Sequence, residues 1–227
     1  MLSADEQSAF EESIARVRAL ATRALQRANQ ENGENGANEA ISFTAQLHRS
    51  LDSVAAQAAS SGPVPDCKAG CAHCCHVRVE ATEPEVFRIA QHLAAQPADT
   101  LSGVVARLRQ HIANAQNGAM RQPCSFLAED RCTIYHVRPA ACRKAHSLSV
   151  LHCATQAPEI PQNLRLLLDA EALMAGTALA YRDVHLPASA HELNAAVLAA
   201  LTDASAQERW YHGDPTALAL PLRIDVS

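Results

Sequence analysis

Residues 67–76 read CKAGCAHCCH and place four cysteines, Cys67, Cys71, Cys74 and Cys75, within nine positions. A second group follows at wider intervals: Cys124, Cys132, Cys142 and Cys153. Such clusters form disulfides, bind metal or carry out thiol redox chemistry. Cys-x2-Cys and Cys-x3-Cys loops let two sulfurs meet one ion at about 2.3 Å, as a zinc or iron–sulfur site requires. The stretch therefore predicts that the fold is organised around a metal centre.

The adjacent pair, Cys74 and Cys75, constrains the kind of centre. Successive side chains usually diverge, so we expect that the two thiols do not both bind one mononuclear ion without strain. Either they serve two metals, or one is a ligand and the other has a different role. Because the ligand set is nearly all sulfur, an iron–sulfur cluster is favoured over zinc as the cofactor.

The rest of the composition limits the compartment and the partners. The N-terminus is acidic and resembles no signal peptide, and no apolar run approaches the ~20 residues that span a bilayer. We therefore predict a cytoplasmic protein without membrane partners, in which clustered cysteines bind metal more often than they form disulfides. A net charge of −5 and a pI of about 6.1 argue against a nucleic-acid partner.

Charge is unevenly distributed along the chain. Residues 67–153 contain ten Lys or Arg and six acidic residues, whereas the remainder contains nine and eighteen. Cationic surroundings lower thiol pKa values and stabilise an anionic metal–thiolate centre. The alternative is a basic face for a phosphate or an acidic partner. Arg138 and Arg143 are the candidate cofactor-binding residues: they either donate to cluster sulfurs or pair with acids such as Glu129 and Asp130.

Helical periodicity dominates outside the cysteines. It predicts helices over 4–29, 39–59 and 100–117, one after the Thr82–Glu85 capping box, and two more beyond Pro161. Asn-Gly pairs predict a break over 31–38, and the tail around Trp210, Asp214-Pro215 and Pro221 reads as irregular. Residues 123–135 predict a hairpin with a cysteine on each arm. Residues 137–143 predict a turn into a short helix with Cys142 in its first turn.

The predicted fold class is mainly α, with helices packed around an irregular cysteine-rich metal-binding centre and at most a small β-hairpin. Three segments are expected. Residues 1–61 form an N-terminal helical hairpin, residues 62–155 the cysteine-cluster metal-binding domain, and residues 156–227 a C-terminal helical extension packed on the same core.

Both cysteine groups together resemble the bacterial CxxCxxCC family of zinc- or iron-chelating domains. The first motif is Cys67-x3-Cys71-x2-Cys74-Cys75. The second runs from Cys124-x-Phe126-Leu127 through Cys132-x-Ile134-Tyr135 to Arg138-Pro139-x-x-Cys142-Arg143. The resemblance covers roughly residues 67–145 and implies a metal centre whose ligands are Cys67, Cys71, Cys74, Cys75, Cys124, Cys132 and Cys142. Cys153 lies outside the motif, and a buried free cysteine is an ordinary small hydrophobe.

Three functions are consistent with these observations. The first is a non-catalytic metal-binding protein that acts in metal handling, redox sensing or structural support. The second is an enzyme that uses the centre for electron transfer or for a group transfer like that of the flagellin lysine methylases, which carry a related cysteine arrangement. The third is a zinc-braced interaction module whose outer helices bind a protein partner. Among the histidines, His73, His76, His146 and His152 lie beside the cysteines and are expected around the site rather than as ligands.

Overall fold

The computed structural model describes residues 2–28, 34–119 and 121–220 and confirms a mainly α-helical fold. The helices are α1 (Ala4–Ala28), α2 (Glu34–Ser61), α3 (Glu83–Ala94), α4 (Ala98–Gln116), α5 (Ala140–Lys144), α6 (Val150–Ala154), α7 (Leu164–Asp183), α8 (Leu193–Thr202) and α9 (Ala206–Tyr211). Short strands are β1 (Glu80–Ala81), β2 (Leu127–Ala128), β3 (Arg131–Cys132) and β4 (His191–Glu192). Two 3-10 helices span His73–His76 and Tyr135–Val137. No helix in the described ranges has the length and apolarity needed to cross a membrane.

The chain divides into two compact units, each built from two separate segments. The first unit comprises Met1–Lys68 and Ala140–Ala188, and the second comprises Ala69–Pro139 and Ser189–Ser227. Helices α1, α2, α5, α6 and α7 therefore belong to the first unit, and the remaining helices and all four strands to the second. The segments predicted from the sequence, 1–61, 62–155 and 156–227, stay a prediction.

Helices α1 and α7 pack closely in the first unit because Gly176 has no side chain. A Cβ atom at that position would lie 2.6 Å from the Val17 Cβ and 2.8 Å from the Ile14 carbonyl oxygen. Arg18 fixes the far end of the same contact through a two-pronged ion pair with Asp183, at 2.7 and 2.5 Å. The small residue lets the helices approach, and the polar pair aligns them.

Helix α2 packs against α5 and α7 in the core of the first unit. Leu47 and Leu51 of α2 form a buried cluster with Ala140 and Ala170. The buried hydroxyl of Tyr181 in α7 donates to the Ala40 carbonyl at 2.7 Å, which leaves no unpaired polar atom at that end of the ring. Leu47 and Leu51 belong to the apolar face that helical periodicity predicts for α2, and both are buried.

Helices α3, α4, α8 and α9 form the helical part of the second unit. Thr82 and Glu85 form the predicted capping box at the start of α3. Phe87 of α3 packs against the fully buried Trp210 of α9, with ring centroids 5.4 Å apart. Strand β1 pairs with β4 in an antiparallel ladder that the sequence analysis did not predict.

Two local predictions were wrong. Residues 34–38 were expected in a break, but they form the first turns of α2, where Ala37 is buried. Residues 31–33 of the predicted break lie outside the described residues. Trp210 was expected in an irregular tail, but it lies in α9 and is fully buried. In both places tertiary packing overrides a weak local preference for turns. Pro221 also lies outside the described residues.

We expect Gly176→Ala to lower the free energy of unfolding by about 1–3 kcal/mol, because the added methyl group overpacks the α1–α7 contact. Chemical denaturation measures the change. Gly103→Ala in α4 is the matched control: its nearest neighbour, the flexible Arg107 side chain, lies at 3.7 Å. There the better helix propensity of alanine should raise stability by about 0.5–1 kcal/mol. Equal destabilisation by both variants would contradict the proposed helix contact.

Candidate metal centre

The eight cysteines are all free thiols and are divided between the two units. The second unit contains Cys71, Cys74, Cys75, Cys124 and Cys132. The first contains Cys67, Cys142 and Cys153. Because no pair is bonded as a disulfide, every sulfur keeps its capacity to act as a metal ligand.

In the second unit, a backbone contact joins the two cysteine motifs. The 3-10 helix His73–His76 carries Cys74 and Cys75, and the carbonyl of Cys75 accepts a hydrogen bond from the N–H group of Cys124 at 2.8 Å. This bond connects residues that are far apart in the sequence. It places the backbone of Cys124 directly beside that of Cys75.

The segment that contains Cys124 and Cys132 folds as the predicted hairpin. Leu127 pairs with Cys132 and Ala128 with Arg131, and the two-residue loop Glu129–Asp130 has φ values of 49° and 57°. Two left-handed loop residues are the signature of a type I′ turn, whose twist matches that of the strands. The tight turn returns the chain so that Cys132 interacts electrostatically with Cys124.

Backbone N–H groups point at the sulfurs of this hairpin. The Phe126 N–H group donates to the Cys124 sulfur, and the Ile134 N–H group donates to the Cys132 sulfur. In each case the donor follows the cysteine by two positions. Such bonds favour a thiolate and are one of the features that tune metal–thiolate and iron–sulfur centres.

Cys74 and Cys75 hydrogen-bond to one another, which corrects the expectation that their side chains diverge. The Cys75 thiol donates to Cys74 and lowers the pKa of Cys74 to about 6, with further help from the charge of Arg138. The same bond raises the pKa of Cys75, because the donor must keep its proton.

The two hairpin thiols, Cys124 and Cys132, remain protonated at neutral pH. Burial raises the pKa of Cys124 to about 11, although the Phe126 N–H group opposes this effect. Burial also raises the pKa of Cys132, and here the Ile134 N–H group and the charge of Arg138 act in the opposite direction. Several buried thiolates need a compensating cation, so the thiols hold protons in its absence.

The two arginines that the sequence analysis singled out have different surroundings. The guanidinium of Arg138 stacks on the Tyr135 ring at 3.7 Å, and its charge acts on Cys74 and Cys132. Arg143, in the first unit, donates to both carboxylate oxygens of Asp52 at 2.9 and 2.7 Å. This acidic partner lies in α2. That Arg143 also donates to a sulfur stays a prediction.

The thiols of the first unit lie near the segment 145–154. The Cys67 sulfur lies 3.9 Å from the carbonyl oxygen of Ser147, which also accepts from the Asp66 N–H group at 2.8 Å. Cys142 lies in α5 as predicted, and Cys153 lies in α6, a helix that was not predicted. The convergence of Cys67 and Cys142 with the thiols of the second unit stays a prediction.

His146 is already engaged at both ring nitrogens. Its Nδ1 lies 2.9 Å from the Lys144 carbonyl oxygen, which can only accept, so Nδ1 carries the proton. Its Nε2 accepts from the Asn163 N–H group at 2.8 Å. His146 therefore braces the loop between α5 and α7 and has no free lone pair for a metal in this arrangement.

The sulfur-rich donor set of the second unit fits a thiophilic metal by its chemistry. Four sulfurs, those of Cys74, Cys75, Cys124 and Cys132, interact with one another, and backbone N–H groups and an arginine surround them. Sulfur ligands select zinc and iron–sulfur centres. As the side chains stand, no group of three or more His, Cys, Asp or Glu within 2–28, 34–119 and 121–220 is arranged to hold an ion.

Comparison with known proteins identifies a family domain in this part of the chain. Residues 66–162 match the CxxCxxCC family, which is described as "Putative zinc- or iron-chelating domain". The match, which covers less than half of the chain, confirms the resemblance seen in the sequence. Neither a curated protein nor a solved structure matches the chain.

Two polar residues beside Cys124 were missed by the sequence analysis. His111 of α4 and Asn194 of α8 contact the backbone on either side of Cys124. Asn194 is 69 residues from Ser125 and 83 from His111 in the sequence, so no local pattern could have indicated these contacts.

We expect iodoacetamide to modify Cys74 faster than Cys124 at pH 7 in reduced, metal-free protein. The pKa of about 6 leaves Cys74 mostly thiolate at that pH, whereas the pKa of about 11 leaves Cys124 protonated. Cys75→Ala removes the hydrogen-bond donor, and we expect the Cys74 rate at pH 7 to fall several-fold. Mass spectrometry of the peptides against time measures both rates.

Cys153→Ser is the matched control for this experiment, because Cys153 lies in the first unit, and it should leave the Cys74 rate unchanged. Equal rates at Cys74 and Cys124, or a Cys75→Ala variant in which Cys74 reacts as in the parent protein, would contradict the hydrogen-bonded pair.

Proposed function

We propose that this protein is a metal-binding protein in which Cys74, Cys75, Cys124 and Cys132 together chelate one zinc ion or one iron–sulfur cluster. The observation that carries the proposal is the hydrogen bond between the Cys124 N–H group and the Cys75 carbonyl, which brings the two motifs together. Four thiolates are the complete ligand set of a structural zinc site and of a common iron–sulfur cluster. The family description supports metal chelation by this segment.

The contact between Cys74 and Cys75 changes the argument about the metal. Part of the preference for an iron–sulfur cluster depended on divergent side chains at Cys74 and Cys75, and the two thiols instead share a hydrogen bond. A single tetrahedral ion can therefore use both. The choice between zinc and an iron–sulfur cluster then depends on which metal the purified protein contains, and not on whether Cys74 and Cys75 can both reach one ion.

The protein's own groups have distinct roles in this proposal. The Phe126 and Ile134 N–H groups orient the sulfurs of Cys124 and Cys132 and stabilise their thiolate forms. Arg138 supplies positive charge beside Cys74 and Cys132, and Tyr135 holds its guanidinium in place. When bound, the metal would supply the positive charge that lets the buried thiols release their protons, so chelation would release protons.

We expect anaerobically purified protein to contain either stoichiometric zinc without colour or iron with broad absorption near 400 nm. Elemental analysis and the absorption spectrum distinguish the two. Replacing a residue that only orients a metal ligand typically lowers metal affinity by about 10–100-fold. Cys74→Ser and Cys132→Ser remove proposed ligands, so each should lower metal affinity by more than that.

Cys153→Ser should retain the metal of the parent protein, since Cys153 lies outside the proposed ligand set. The same count on Cys67→Ser, Cys71→Ser and Cys142→Ser tests the remaining predicted ligands. Protein with neither zinc nor iron after anaerobic purification and after reconstitution with either metal would overturn the proposal.

A further inference from the structure

The N-terminal end of α8 and the strand before it contact both cysteine segments of the second unit. Strand β4 pairs with β1, which follows the Cys74–Cys75 segment, and the Leu193 N–H group donates to the Val79 carbonyl at 2.9 Å. Asn194 Oδ1 accepts from the N–H group of Ser125, the residue after Cys124, at 3.3 Å. One short stretch, residues 191–194, therefore holds the chain after Cys75 and the chain after Cys124.

Helix α4 holds the same loop from its other end. The Pro123 carbonyl lies 3.1 Å from His111 Nδ1, and the Ser125 carbonyl accepts from Arg107 Nε at 3.0 Å. With the Cys124 N–H group bonded to Cys75, the polar backbone groups on both sides of the Cys124 sulfur are engaged. The loop has little secondary structure of its own, so these contacts fix where the sulfur lies.

The hydrogen bonds around Asn194 form one consistent network. The Pro123 carbonyl can only accept, so His111 carries its proton on Nδ1 and presents a lone pair at Nε2. Asn194 Nδ2 donates to that lone pair at 3.2 Å and to Glu192 Oε1 at 2.7 Å. Asn194 is only 4% exposed, and each hydrogen of its amide has a partner. The amide orientation and the histidine tautomer are therefore fixed together.

Glu192 anchors this network to the helix. Its carboxylate caps α8 by accepting from the Asn194 N–H group at 3.1 Å and the Ala195 N–H group at 2.7 Å. The same carboxylate holds the Asn194 side chain. The position of the Asn194 amide thus depends on the helix terminus, which is a rigid element.

We propose that His111 and Asn194, held by Glu192, are positioning residues that place the Cys124 sulfur for metal coordination. The proposal rests on the proposed function. Residues 192 and 194 lie outside the matched segment 66–162, so a part of the chain beyond the family domain would set the geometry of its metal centre. Residues that orient metal ligands typically change affinity by about 10–100-fold when they are replaced.

The test compares His111→Leu with His111→Gln in the full chain. Leucine removes both hydrogen bonds, whereas the glutamine amide offers one donor for Pro123 and one acceptor for Asn194. We expect the dissociation constant for Zn²⁺, measured by competition with a chelator, to rise about 10–100-fold in His111→Leu and to stay within about threefold of the parent in His111→Gln. Co²⁺–thiolate absorption should weaken only in the leucine variant, because it reports ligand geometry.

Two controls separate positioning from general stability. Asn114→Ala removes an exposed hydrogen bond with Gln110 on the same helix and should leave Zn²⁺ affinity unchanged. Denaturation of the metal-free variants shows whether each one folds. Parent-like Zn²⁺ affinity in His111→Leu, or equal loss in the leucine and glutamine variants, overturns the positioning role while the metal site itself stands.

A metal-free readout distinguishes this proposal from the proposed function. Amide hydrogen exchange at Cys124 and Ser125 should accelerate in His111→Leu and in Asn194→Asp, and remain as in the parent in Asn114→Ala. If the parent protein binds no metal, the proposed function fails. Acceleration at these two amides then still supports the positioning of Cys124, and unchanged exchange overturns it.

Discussion

The hydrogen bond from the Cys124 N–H group to the Cys75 carbonyl is the contact on which the candidate metal site of the second unit depends. It joins a 3-10 turn to a hairpin whose strands have two residues each, so neither partner has much regular structure. A hydrogen bond of this kind contributes only about 0.5–1.5 kcal/mol to stability, less than the entropy lost when two loops are ordered. The bond therefore persists because Arg107 and His111 of α4 and Asn194 of α8 hold the residues on either side of Cys124. These helices allow the cysteine segments to be irregular.

The same contact creates an electrostatic problem that shapes the site. The thiols of Cys74, Cys75, Cys124 and Cys132 act on one another's pKa values, and burial raises those of Cys124 and Cys132. The excess of basic residues in 67–153 compensates only part of the negative charge that these thiols would carry as thiolates, because Arg143 binds Asp52 and Lys144 binds Glu171. The positive charge of Arg138 favours the thiolate forms of Cys74 and Cys132. One guanidinium cannot balance four thiolates, whereas a divalent ion or a cluster adds the charge at the sulfurs themselves.

Features governed by neighbouring residues were predictable from the sequence. The Thr82–Glu85 capping box, the hairpin between Cys124 and Cys132 and the apolar helix faces follow from short-range hydrogen bonds and periodicity. Features governed by distant contacts were not. Residues 34–38 are helical in spite of their Asn-Gly pair, and Trp210 is buried against Phe87 in a segment expected to be irregular. The hydrogen bond between the thiols of Cys74 and Cys75 also depends on a backbone conformation that the sequence of these two residues does not reveal.

The position of Asn194 shows why a cysteine motif alone does not define a metal centre. Ligand spacing determines which sulfurs can reach one ion, but metal affinity also depends on how far the ligands must be ordered when the ion binds. A loop such as 123–125 would have to be ordered at that moment if nothing else held it. Here its carbonyl and N–H groups are bonded to Arg107, His111 and Asn194, which belong to helices. The ordering then occurs when the helices fold, so much of the loop entropy is already lost before a metal is encountered. Asn194, which lies beyond the matched segment 66–162, thus helps to order the loop that carries Cys124 within the second unit.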